Sequence, residues 1–287
     1  MDGKPSFSRE NLHRGCKGRQ MKSYTTILME KKENIATITL NRPDKMNASN
    51  DPMAEELLTC FETVDKDKDV RTVIITGAGK AFCAGADLNE RFLPKIEQRK
   101  KGLLKDVTGE FSELGALALS RMRKVTIAAV NGVASGVGCT LALGCDIRLA
   151  SSTAKFGFPF LRVGILPEFG STYYLPRLVG IGKACELVFT GQTIDAEEAK
   201  QIGLVNKVVP PEKLLEETYE MARKISQMPP LALAISKRAL YQGLRAPDLA
   251  SQLQYEALAI VHLFGTADHE EGVRSFLEKR DPLFKGR

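Results

Sequence analysis

The sequence predicts an α/β fold closed by a helical end, and three observations carry that expectation. Short β-rich runs such as VRTVIIT at 70–76 and VTIAAV at 125–130 alternate with helical patterns through the first two thirds of the chain. Glycine turns follow these runs at 77–79, at 85 and at 132–138. After Pro210 and Pro211 the strand pattern stops, and apolar residues recur at helical spacing, as at Leu249, Leu253, Ala257 and Ile260.

In chain order, residues 26–30 and 35–40 read as two strands joined at 31–34. Pro43 then interrupts the pattern before a helix over about 52–65. The strand at 70–76 leads to the turns of GAG and KAFCAGADL. A charged segment at 89–106, expected to be mobile, precedes a helix near 109–122 and the strand at 125–130. Strand-strand-helix followed by strand-helix-strand implies active loops at strand ends. A strand at 205–209 closes this part. Helices at 212–227, 231–243, 249–264 and about 268–279 follow, separated by proline or glycine, and such an end packs on its own domain or on a neighbouring subunit. The expected division is a tail at 1–21, a core at 22–210 and a helical region at 211–287.

Composition narrows the function classes. The chain has 287 residues, 43% of them hydrophobic, enough for a substantial core. Lys and Arg exceed Asp and Glu by 41 to 35, with no block of like charge that reads as a nucleic-acid arm, so no nucleic acid is expected. Six cysteines lack any CxxC spacing and read as reduced thiols in a cytoplasmic setting. The three histidines have no metal-binding spacing, so no metal is expected. No apolar run is long enough to span a membrane. The first twenty residues carry five cations against two acids and no apolar run; they read as a disordered tail, or as an overlong start with Met21 the natural first residue.

The chemistry concentrates between residues 131 and 172. Gly132, Gly136 and Gly138 sit between an apolar strand and the apolar segment 140–143, where a sharp turn can leave N–H groups facing a ligand. Further on, Glu168 stands between Pro167 and Phe169. N–H donors followed by a carboxylate in apolar surroundings suggest a site that stabilises an oxyanion and moves a proton. Glu168 is alternatively a solvated loop acid, or a partner of Arg162 or Arg177.

Six segments in order, ITLNRPDKMNA at 38–48, VRTVIITGAGKAFCAGADL at 70–88, VNGVASGVGCTLALGCDIRLAS at 130–151, FGFPFLRVGILPEFGSTYYLPRLVG at 156–180, GLVNKVV at 203–209 and EGVRSFLEKRDPLF at 271–284, resemble the crotonase, or enoyl-CoA hydratase/isomerase, superfamily. The resemblance implies a crotonase fold, a spiral of repeated ββα units with a C-terminal helical trimerisation region. It also implies homotrimers or hexamers built as two trimers, and acyl-CoA substrates handled without a cofactor other than the coenzyme A of the substrate. Carried over by position, the N–H groups of Ala86 and Val137 form the family's oxyanion hole, with Gly85, Gly136 and Gly138 shaping its turns. Lys45, Lys80, Phe276 and Lys279 lie in segments that border the CoA moiety in the family, and the 99–101 basic run either faces solvent or borders its nucleotide end. Asp87 follows the first turn as a turn or cap acid at the edge of the site.

The departures from the family pattern select the reaction. Hydratases of this family carry one glutamate after the second oxyanion donor and another after a proline in the following strand; here these positions are Thr140 and Phe160. A threonine holds a water without acting as base near neutral pH, and a phenylalanine excludes one. Glu168, in LPEFGS, matches the position where some 3-enoyl to 2-enoyl-CoA isomerases of the family carry their single acid. Double-bond isomerisation is therefore the leading expectation. Hydration of an unusual or cyclic enoyl- or dienoyl-CoA is the alternative, and a non-catalytic acyl-CoA- or RNA-binding relative is the more remote one. Tyr173 and Tyr174 are candidates for lending a phenol to the site or for packing, and Cys139 reads as a small buried hydrophobe.

Overall fold

The computed structural model describes residues 24–103 and 110–287. The tail at 1–21 and the end of the charged segment, 104–106, lie outside the described residues. The first unit is the hairpin of β1 (Ile27–Lys32) and β2 (Ile35–Leu40), followed by α1 (Asp51–Lys66) and β3 (Thr72–Gly77). Next come β4 (Ala81–Cys83), α2 (Leu93–Lys100), α3 (Glu110–Arg121), β5 (Val125–Val130), β6 (Val133–Ser135) and α4 (Val137–Gly144). The core ends with β7 (Ile147–Ser151), β8 (Lys155–Gly157), α5 (Ser171–Val179), α6 (Ile181–Thr190), β9 (Thr193–Asp195), α7 (Ala196–Gln201) and β10 (Lys207–Val209). The C-terminal helices are α8 (Leu214–Ser226), α9 (Pro230–Gly243), α10 (Leu249–Phe264) and α11 (Ala267–Glu278).

Two sheets form. The larger runs β1-β2-β3-β5-β7-β10, parallel except for the β1–β2 hairpin. Its central strands β2, β3, β5 and β7 are buried on both faces, and successive residues alternate between them as the pleat requires. Val73, Ile75, Ala128 and Val130 face the main core shared with α1, α3 and α4, whereas Ile74, Ile127, Ala129 and Leu149 face α8 through Leu214 and Ala222. The smaller sheet runs β4-β6-β8-β9, with β4, β6 and β8 parallel. This second sheet holds the glycine turns.

The segment expected to be mobile is helical as far as Lys100. Asp87 accepts a hydrogen bond from the Glu90 N–H and starts a π-helical turn, Leu88–Phe92, that runs directly into α2. Arg91, only 6% exposed, anchors the turn through Asp51 at 3.2 Å. No helix is predicted here from the sequence; paired charges fix its start.

Candidate active site

Parallel neighbours end on the same side of a sheet, so β4 and β6 deliver their following turns to one place. There Gly85 (φ +115°) and Gly136 (φ +51°) face each other: a Cβ on Gly136 would stand 3.7 Å from the Gly85 Cα. Gly138 is pressed harder, since its Cβ would come within 2.2 Å of the Cys83 carbonyl oxygen. Glycine is needed at 136 for conformation and at 138 for room.

The N–H groups left over by this arrangement are those of Ala86 and Val137. Ala86 bridges Ser49, but the bridge uses the Gly85 carbonyl and the Asp87 N–H, at 2.8 and 2.9 Å, so the N–H of Ala86 points away from it. Val137 is the first residue of α4 and has no helical acceptor one turn back. Its N–H lies at the positive end of that helix.

The loop at 41–50 clamps the first turn. Asn47, fully buried at φ +56°, donates from Nδ2 to the carbonyls of Ala78 and Ala81 and accepts from the Arg42 N–H. The Arg42 guanidinium reaches the Ala48 carbonyl at 2.6 Å, Asp87 at 3.2 Å and Glu90 at 2.8 Å. Burial works to raise the Asp87 carboxyl, yet the Glu90 N–H and the Arg42 guanidinium outweigh it and hold it below the usual carboxylate range. Asp87 is thus a helix cap and ion-pair partner, and its contacts are structural. Gly79 packs on Pro43, so exposed Lys45 and Lys80 lie on adjoining loops beside this turn.

Glu168 sits on the loop between the 3-10 turn Pro159–Val163 and α5. The next residue, Phe169, has φ +57°, a left-handed conformation unusual for a bulky side chain. Burial of its ring beside Leu119 and Gly144 holds that conformation, and Pro167 is buried on the other side. Leu166, the apolar residue before Pro167, is largely exposed. The Ser112 hydroxyl of α3 donates to Glu168 Oε2. Arg162 and Arg177 are turned elsewhere, to the carbonyls of Thr190 and Tyr173, so neither is the partner of Glu168.

Thr140 is completely buried, and its hydroxyl donates back to the Val137 carbonyl at 3.2 Å. Phe160 is buried in the main core. Tyr173 and Tyr174 pack edge to face at 5.4 Å, with the Arg177 guanidinium over the Tyr173 ring. Cys139 is fully buried, and burial pushes its thiol well up; burial likewise lifts Cys83 to about 11.

The family model for enoyl-CoA hydratase/isomerase matches residues 30–287. The chain belongs to the enoyl-CoA hydratase/isomerase family. It is 43% identical over 256 residues to the short-chain-enoyl-CoA hydratase of Clostridium acetobutylicum, covering 88% of this chain and 95% of that protein. It is 37% identical over 272 residues to the 1,2-epoxyphenylacetyl-CoA isomerase of Escherichia coli, covering 91% and 98%. The crystal structure of an enoyl-CoA hydratase from Bacillus anthracis, 37% identical, superposes with a TM-score of 0.84 over 92% of this chain and all of the other. The fold is therefore the crotonase fold of this family, α/β with a helical C-terminal region.

Within this family member, the residues expected at the site fall into two groups. Gly85, Ala86, Asp87, Gly136, Val137, Gly138 and Thr140 gather around the paired turns, with Lys45 and Lys80 on the adjoining loops. Phe276 and Lys279 stand apart, exposed on α11, where Phe276 lines an apolar groove with Phe284. Arg42, Asn47 and Ser112, which hold the site in shape, were not singled out from the sequence. For Arg42 and Asn47 the signal was their place in NRPDKMNA; for Ser112 there was none.

Proposed function

We propose that this chain moves a carbon–carbon double bond in an acyl-CoA thioester, converting a 3-enoyl-CoA into the 2-enoyl-CoA with Glu168 as its single acid/base. The observation that carries this reading is a buttressed Glu168 together with Thr140 and Phe160 at both positions where the family's hydratases keep glutamates. The Thr140 hydroxyl is engaged by its own helix and Phe160 is buried, so neither activates a water.

On this reading the thioester carbonyl accepts hydrogen bonds from the N–H groups of Ala86 and Val137. Glu168 removes a proton from C2, and the electron pair delocalises onto the carbonyl oxygen as a dienolate. The same carboxylic acid then protonates C4; the carbonyl reforms and the double bond comes to rest between C2 and C3. No atom is gained or lost and no oxidation state changes, so the reaction calls for no redox cofactor. On the same reading Lys45 and Lys80, exposed on the loops beside the first turn, meet the phosphates of CoA. We further read α10 as an interface between copies in a trimer or a pair of trimers, because none of its residues is buried within one chain.

A second reading is favoured by one observation: the relative at 43% identity is named a hydratase. There Glu168 would both activate water and protonate C2 of a 2-enoyl-CoA. Incubation in heavy water separates the two readings. Conversion of 3-enoyl- to 2-enoyl-CoA without added water supports the isomerase, and 3-hydroxyacyl-CoA from a 2-enoyl-CoA supports the hydratase. Neither product across varied acyl groups would overturn both.

A further inference from the structure

A cavity of about 440 Å³ lies between α3, α5, α9 and α10, away from the paired glycine turns. One face of α9 lines it with Ala234, Lys237, Arg238, Tyr241 and Gln242, and Arg245 continues the stripe just beyond the helix. The spacing is that of a single helix face, on which Lys237 is buried and Arg238 and Arg245 are exposed at the cavity rim. This face is cationic.

The opposite wall adds Arg121 and Arg123, and no Asp or Glu lines the cavity among the described residues. Two of the five cations are neutralised: Lys237 by Asp146 at 2.8 Å and Arg123 by Asp65 at 3.2 Å. Among the described residues, Arg121, Arg238 and Arg245 have no carboxylate within ion-pair distance. Tyr173, Tyr174, Tyr241 and Tyr255 contribute rings and hydroxyls. Asp146, beneath the cavity, is held by Lys237 and by the Tyr241 hydroxyl at 2.9 Å, so the floor is fixed. The forked donors of Arg121, Arg238 and Arg245, beside phenols and with no carboxylate in the lining itself, complement a multiply charged oxyanion.

We propose that this cavity binds a small phosphorylated metabolite, at a site separate from the one that takes acyl-CoA. The proposal does not depend on which reaction Glu168 performs. Its position gives it a route to that residue: α3 carries both Arg121 and Ser112, and α5 carries Tyr173 and Tyr174 and begins three residues after Glu168. An occupant bridging α3, α5 and α9 therefore bears on both supports of the carboxylate.

Pyrophosphate is the probe. Titrated into the full-length protein under saturating CoA, it is expected to bind saturably in calorimetry and to raise the melting temperature. The Arg238→Gln/Arg245→Gln variant should bind at least tenfold more weakly for each guanidinium removed, roughly, from the strength of charged hydrogen bonds. Should that variant not fold, Arg121→Gln on the opposite wall provides the same comparison. Absence of saturable binding, equal binding by the variants, or complete displacement of pyrophosphate by CoA would each overturn the proposal.

Discussion

Glu168 owes its position to neighbours on both sides in sequence and to one residue far away. Pro167 and Phe169 bury the flanks of its loop, and Ser112, 56 residues earlier, donates to its carboxylate. Glu168→Gln is expected to lower kcat about 10³-fold with little change in KM, since removal of general acid/base catalysis costs that order. Ser112→Ala should lower kcat about tenfold while leaving KM unchanged, as expected for loss of one hydrogen bond to a charged group, and Ser112→Thr should restore it. An equal effect on KM would instead mean that Ser112 only shapes the pocket. Asp87 makes a prediction about stability. Its carboxyl sits below the ordinary value, so the ion pair with Arg42 contributes fully above about pH 4 and fades as pH falls through the depressed value. Asp87→Asn should cost about 2 kcal/mol at pH 7, measured by urea unfolding, and the gap from the unaltered chain should close below about pH 4. Residues at this scale were legible when their chemistry stood out from a local background. Glu168 did so between proline and phenylalanine; Ser112 is an ordinary serine on a helix, and only the fold gives it a partner.

Among elements, the paired turns dominate. Gly138→Ala pushes a methyl into the Cys83 carbonyl, which is backbone and not a flexible side chain, so relief is not easy. The expected cost is about 3 kcal/mol, in the range of core overpacking, with a lower thermal midpoint and loss of turnover together. Retention of both would mean that the turns can separate. Five of the six strands of the larger sheet were legible because runs of β-branched and apolar residues, as in β5, leave little choice, whereas β7 was not singled out. The smaller sheet was not legible. Its strands β4, β6, β8 and β9 have three residues each, too few for a period, and only pairing with one another makes them strands. The helix α2 was missed for another reason: Pro94 and a run of charge resemble a loop, while the anchors Asp87 and Arg91 act through partners distant in sequence.

Across the whole molecule, the larger sheet is sandwiched between α8 and the main core, and α10 hangs its apolar side chains outside it. Leu258 and Val261 are 75% and 70% exposed. Leu258→Glu is expected to reduce the assembled mass seen by mass photometry from three or six chains to smaller species, while far-ultraviolet circular dichroism stays unchanged. A single-chain mass for the unaltered protein would dispose of the interface. The fold class and the order of its segments were legible at this scale, because glycine turns after strands are punctuation that survives without knowledge of contacts. Which strands neighbour which was not, since β5 pairs with β3 and β7 across intervening elements. One feature reaches furthest. Both donors at the paired turns belong to the main chain, so no change of side chain at Ala86 or Val137 deletes them. On the proposed reading the scaffold is a socket of fixed polarity, into which positions 140, 160 and 168 fit the groups that choose the acyl-CoA reaction.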